Sequence, residues 1–178
     1  MSSSAITLTT ISNTIRINNV KILFLTELNA IKYQSITQKR SPMSAVQIIV
    51  GSMLGGTEYV AEACEETLIS LDYKVDIHLK PELNTIITNT FSVNIVEKSN
   101  NNSPQKPVWI ICTSTHGAGD YPDNIQSFVN DLTNCAQDLS TVSFLMIGIG
   151  DSSYDTFCYA AKKLSKLLIS KGCKELTT

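Results

Sequence analysis

Three stretches of this chain, "VQIIVG", "VWIICT" and "VSFLMIGIG", are apolar at almost every position. A strand with no polar face has to be covered on both sides, which points to a parallel sheet rather than a half-wet meander. The segments between these runs have a helical period instead. "DNIQSFVNDL" sets Ile125, Phe128, Val129 and Leu132 on one face. After the first run, Val60, Ala61, Cys64, Leu68 and Leu71 form a second stripe, with Thr57 as the expected N-cap. A last helix is expected over about residues 154–170, with Phe157, Ala161, Leu164 and Leu168 turned inward. "YKVDIHL" alternates, with Tyr73, Val75, Ile77 and Leu79 on one side, as in a strand with one face partly in water. Strands alternating with helices make an α/β, doubly wound parallel sheet joined by right-handed crossovers. Residues 83–107 read either way: an apolar segment suits a helix or a short strand, and "SNNNSPQKP" is a polar loop.

Composition narrows the function. No apolar run approaches the roughly eighteen residues of a membrane span, and "VKILFLTEL" is too short and wrongly flanked for a signal peptide. Five cysteines without a C-x-x-C pair, and only two histidines, argue against a disulfide framework or a metal centre and for a reducing cytoplasm. Residues 1–42 hold Arg16, Lys21, Lys32, Lys39 and Arg40 against Glu27, a balance of +4, so the net −2 of the whole chain leaves −6 on the rest. An acidic body does not suit nucleic acid and suits a basic protein partner. Residues 1–42 are expected to be a disordered or non-native extension (a transit peptide is the lesser reading), and 43–178 the folded domain.

In open parallel sheets, ligands bind beyond the carboxyl ends of the strands. The loop after the first strand, "GSMLGGTEYVAEA", has Gly51 and Gly56 at P-loop spacing but Thr57 where the lysine belongs. Ser52, Met53, Leu54, Gly55, Gly56 and Thr57 thus read as an anion cradle without a cation, or as a plain strand-to-helix turn. The second loop, "TSTHGAGDYPDN", offers Ser114, Thr115, His116, Gly117, Ala118 and Gly119. His116 has no paired acid or nucleophile in the sequence, which favours an exposed residue or one beside a planar ligand over a catalytic base. The third, "GIGDSSYDTFC", offers Gly148, Gly150, Asp151, Tyr154, Phe157 and Cys158. Its Asp-Ser-Ser is also compatible with an ordinary helix cap, and Cys158 with a small core residue. No catalytic residue and no metal ligand is expected.

Jointly the three loops resemble the flavodoxin family, over about residues 46–178. Within it they are most similar to the short MioC-type flavodoxins, with the flavin mononucleotide (FMN) domains of diflavin reductases, such as the sulfite reductase flavoprotein, as relatives. The resemblance implies strand order 2-1-3-4-5, and flavodoxin is itself the standard example of that order with FMN at the switch point. Members continue with a fifth strand and a closing helix, whereas this chain stops at "KGCKELTT", so at most residues 175–178 begin that strand. The domain is therefore expected to be C-terminally truncated, with the fourth strand left as an edge.

The implied cofactor is FMN. Residues 52–57 would hold its phosphate. Thr115, His116 and Gly117 would line one side of the isoalloxazine, with the Gly117–Ala118 peptide near N5. Tyr154 would stack on the other face, and Gly150 and Asp151 would meet the pyrimidine edge. A terminal monophosphate has no leaving group to stabilise, so a lysine is dispensable. Left unneutralised, its charge opposes negative charge on the ring: one charge about 10 Å away at an effective dielectric near 20 is worth roughly 1.7 kcal/mol. That is about 70 mV toward lower potential for one electron.

The implied function is a low-potential, monomeric cytoplasmic carrier of single electrons, more a carrier than an enzyme with its own substrate. It would pass them from a basic flavoprotein reductase to an iron–sulfur or other redox enzyme, docking through Asp120, Asp123, Asp151 and Asp155, with no nucleic acid or membrane involved. The alternative is a detached FMN domain of a diflavin (sulfite reductase-type) oxidoreductase, or an FMN-dependent quinone reductase.

Overall fold

The computed structural model describes residues 14–17, 20–23, 46–97 and 106–176. Strands β1 (Thr14–Ile17) and β2 (Val20–Leu23) pair antiparallel with Ile15 opposite Ile22. The rest of the expected 1–42 extension lies outside the described residues, as does most of the polar loop at 98–105.

From β3 (Val46–Gly51) onward, strand and helix alternate. The order is α1 (Gly56–Ser70), β4 (Val75–His78), α2 (Leu83–Glu97), β5 (Val108–Ser114), α3 (Asp123–Asn134), β6 (Ser143–Ile149), α4 (Tyr159–Ser170) and β7 (Lys174–Glu175). The five strands from β3 to β7 form one parallel sheet in the order β4-β3-β5-β6-β7. Counted from β3, this is the expected 2-1-3-4-5. β7 pairs with Ser143 and Phe144, and among the described residues no strand of this sheet pairs with the rest of that edge of β6.

β3, β5 and β6 each feed two cores, because successive side chains point to opposite faces. One core joins Ile48, Val50, Ile110 and Cys112 to Val60, Ala61, Cys64 and Leu68 of α1. The other joins Ile49, Trp109, Ile111 and Phe144 to residues of α2, α3 and α4. The inward sets of α1 and α3 are those read from the sequence, except that Leu71 ends α1 half-buried. All five cysteines are free thiols.

The ambiguous segment is a helix, α2. Its Thr and Ile content is β-prone, but Leu83, Ile86, Ile87 and Phe91 recur at helical spacing against the core. Trp109, fully buried, donates from Nε1 to Thr90 Oγ1 at 2.8 Å, and Thr90 donates on to the Ile86 carbonyl at 2.6 Å. Left alone, that buried indole N–H would cost about 1–3 kcal/mol. On β3, buried Gln47 donates to Asp76 at 3.0 Å and accepts from His78 Nε2 at 2.8 Å. Burial holds the His78 imidazole below its ordinary pKa of 6.5, against the opposing pull of the Asp76 charge.

Two helix starts differ from expectation. Thr57 does not cap α1: it lies inside the first turn, and Gly55, in a left-handed conformation, is the N-cap. α4 begins at Tyr159, not near residue 154. Asp151 accepts the Ser153 N–H at 2.8 Å, drawing the chain into a turn, and Cys158 adopts a left-handed φ of 53° that a continuous helix cannot include.

Candidate functional site

A cavity of about 190 Å³ opens where the carboxyl ends of β3, β5 and β6 meet. It is lined by Ser52, Met53, Leu54, Gly56, Thr57, Ser114, Thr115, His116 and Ile149. This is the switch point of the sheet: from β3 the chain crosses one way to β4, then the other way to β5.

The first wall is residues 52–57. Its backbone is fixed by Asn124 at the start of α3. The Asn124 carbonyl accepts the Ser52 N–H at 2.9 Å, and its amide donates to the carbonyls of Val50 at 2.9 Å and Leu79 at 2.8 Å. One side chain thus ties the ends of β3 and β4 to α3. The Ser52 hydroxyl accepts the Gly55 N–H at 3.0 Å and keeps its own hydrogen to give. Thr57 is 2% exposed, and its hydroxyl has no partner among the described residues. The N–H groups of Leu54, Gly56 and Thr57 also have no acceptor there, as expected at a helix start.

A buried hydroxyl and several main-chain donors converging at a helix N-terminus, with no acidic residue lining the cavity, fit a phosphate. Among the described residues no lysine or arginine lines it either. Met53 and Leu54 are exposed, Leu54 almost completely.

The second wall is residues 115–121. His116 and Asp120 exchange main-chain hydrogen bonds, His116 N to Asp120 O at 2.9 Å and Asp120 N to His116 O at 2.7 Å, closing a tight hairpin. Gly117 and Ala118 lie exposed at its tip. Gly119 has φ 116°, and a Cβ there would sit 2.6 Å from the Tyr159 ring, so only glycine fits. The His116 side chain is exposed, and among the described residues no acid or nucleophile is bonded to it.

The third loop follows β6, whose last residue, Ile149, lines the cavity. Tyr154 is 68% exposed, with a free ring face. Asp151 is fully exposed, and the Ser153 N–H and hydroxyl hold its carboxyl below the usual range. Gly148 packs beneath α4, where a Cβ would come within 3.0 Å of Ala161 and of Cys158, and Cys158 itself is buried. Gly148 and Cys158 therefore serve helix packing in this structure, and neither lines the cavity.

The cavity thus gathers Ser52, Met53, Leu54, Gly56, Thr57, Ser114, Thr115 and His116 from the expected residues. Gly55, Gly117, Ala118, Gly119, Gly150, Asp151, Tyr154 and Phe157 lie in the same three loops without lining it. Sequence reasoning missed Ile149, which is indistinguishable from core at the end of an apolar strand. It also missed the clasp role of Asn124, whose only signal was a side-chain amide just after a Pro-Asp turn.

Among the described residues no group of three His, Cys, Asp or Glu could hold a metal ion, and no helix is long and apolar enough to cross a membrane.

Comparison with known proteins agrees with this architecture. Protein MioC of Escherichia coli is 38% identical over 133 residues, covering 75% of this chain and 79% of that protein. The NADPH sulfite reductase flavoprotein alpha-component of Cronobacter sakazakii is 27% identical over 139 residues, 76% of this chain but 20% of that longer protein. A flavodoxin from Pseudomonas aeruginosa, carrying one cysteine substitution, superposes with a TM-score of 0.57 at 24% identity, covering 75% of this chain and 80% of that one. Residues 48–178 match the family described as Flavodoxin, and the chain belongs to it.

Proposed function

We propose that this chain binds FMN and carries single electrons at low potential between a basic flavoprotein reductase and an iron–sulfur or other redox enzyme. The observation that carries this reading is the set of donors at residues 52–57 without an acceptor among the described residues: the Thr57 hydroxyl, the Ser52 hydroxyl hydrogen and the N–H groups of Leu54, Gly56 and Thr57. These would hold the phosphate. The residue 115–118 turn and the exposed Tyr154 ring would take the two faces of the isoalloxazine, whose part is to accept and release electrons one at a time. No side chain in the site has to move a proton to a substrate, which suits a carrier. Asp120, Asp123, Asp151 and Asp155 are all exposed around the same end of the sheet, which suits docking of basic partners.

Membership of the flavodoxin family supports FMN, and the donors at residues 52–57 support a monophosphate tail. The likeness to one-fifth of a sulfite reductase flavoprotein keeps a second reading open: an FMN domain working with a separate reductase module.

The test is titration of the purified full chain with FMN, followed by absorbance and fluorescence. Saturable quenching of the flavin emission with bound flavin bands is expected. A chain that stays colourless in excess FMN ends the proposal.

A further inference from the structure

Two neighbouring lysines near the start of α4 reach back to two different loops at this end of the sheet. Lys163 Nζ lies 4.6 Å from the ring centre of Tyr121 and 5.3 Å from that of Tyr159. Tyr121 closes the second wall, and the Tyr159 ring lies against Gly119. The Ala160 N–H donates to Thr115 Oγ1 at 3.2 Å, so both ends of residues 115–121 are tied to the first turn of α4. Lys162 Nζ donates to the Phe157 carbonyl at 3.0 Å and stands 5.8 Å from the Phe157 ring centre. Phe157 in turn donates its N–H to the Tyr154 carbonyl at 3.0 Å, so this lysine secures the third loop. Burial raises the Tyr121 phenol pKa from its ordinary value.

We propose that Lys162 and Lys163 are positioning residues: from one turn of α4 they hold the two loops that flank the flavin ring, and so set the width of its slot. Neither lines the cavity. This inference rests on the FMN reading and adds to it the element that shapes the ring site. The two tethers are separable. Lys163 steadies the turn carrying Gly117 and Ala118, and Lys162 steadies the segment carrying Tyr154. Each contributes the energy of a partly exposed cation–π contact, about two- to fivefold in a local equilibrium.

The experiment compares the full chain with Lys163→Met, Lys162→Met and the charge-keeping Lys163→Arg. Residue-resolved amide exchange is measured without FMN, and FMN affinity and flavin quenching with it. In Lys163→Met, exchange at Gly119 and Asp120 should rise about two- to fivefold while Phe157 stays unchanged, and FMN affinity should fall by a similar factor. Lys162→Met should do the reverse in the loops, and Lys163→Arg should restore the parent behaviour. Unchanged exchange in both loops overturns the tethers. So does a rise spread evenly over the whole sheet, which means general loosening. Faster loop exchange with parental FMN affinity overturns the positioning role. If the parent itself takes up no FMN, the FMN reading falls, and the tethers stand or fall on the exchange arm alone.

Discussion

Residues 52–57 and residues 115–121 border the same cavity but are fixed by different parts of the molecule. The first loop is tied through Asn124, whose three hydrogen bonds also join the ends of β3 and β4 to α3. Its stability is bound up with that of the sheet. The second loop is closed on itself through His116 and Asp120 and leans on Tyr159 and Lys163 of α4. Under the FMN proposal the difference has a chemical sense: a phosphate needs fixed donors, set most rigidly by the sheet, while a planar ring needs a slot whose walls adjust without unfolding the domain.

The hardest blow to the first region is Asn124→Ala. It strands the Ser52 N–H and the carbonyls of Val50 and Leu79, and should cost about 3 kcal/mol in denaturant unfolding. A loss under about 1 kcal/mol would mean the loop is held elsewhere. For the second region, Gly119→Ala imposes a left-handed strain and a clash with Tyr159. It should cost about 2 kcal/mol, with exchange changes confined to residues 115–121; a shift in the residue 52–57 amides would erase the distinction between the two loops.

Thr57→Val sharpens the contrast, because it keeps the shape and removes only an orphaned hydroxyl. Unfolding free energy should hold or rise slightly while FMN affinity drops roughly tenfold, and equal affinity by titration would take Thr57 out of the phosphate site. Tyr154→Ala removes an exposed ring. Stability should stay within about 0.5 kcal/mol, with flavin emission recovering and affinity falling roughly fivefold; unchanged quenching would dismiss Tyr154 as the stacking residue.

The smallest effect touches neither loop. The His78 pKa is depressed in the folded state, so the unfolded chain binds its proton more tightly. Its contribution to stability is complete above pH 6.5 and declines as pH falls through the lower folded value. The melting temperature should therefore drop on mild acidification, less so in His78→Gln, and a melting temperature that rises on acidification would contradict this linkage.

Much of this was legible in the sequence, because burial leaves a periodic trace. The strands β3, β5 and β6 had to be covered on both faces, and Ile125, Phe128, Val129 and Leu132 could face only one way. That the glycine-rich loop at residues 52–57 would border a cavity was legible from its place after a covered strand. α2 was not, since its β-branched residues blur the period that Leu83 and Ile86 follow. Nor was the start of α4, because Asp151 and Cys158 override a helical pattern that runs on through Tyr154.

What the sequence by itself determined was the alternation of covered strands and one-sided helices, and with it a parallel sheet whose loops gather at one end. Only the tertiary structure decided which polar atoms there are already used. Asn124 is spent on the backbone, Gly148 lies under α4, and the Thr57 hydroxyl is left without a partner among the described residues. The reason is that apolar burial repeats along the chain and can be read from it. Hydrogen-bond partners lie far apart in sequence, as Ser52 and Asn124 do, and meet only when the fold has closed.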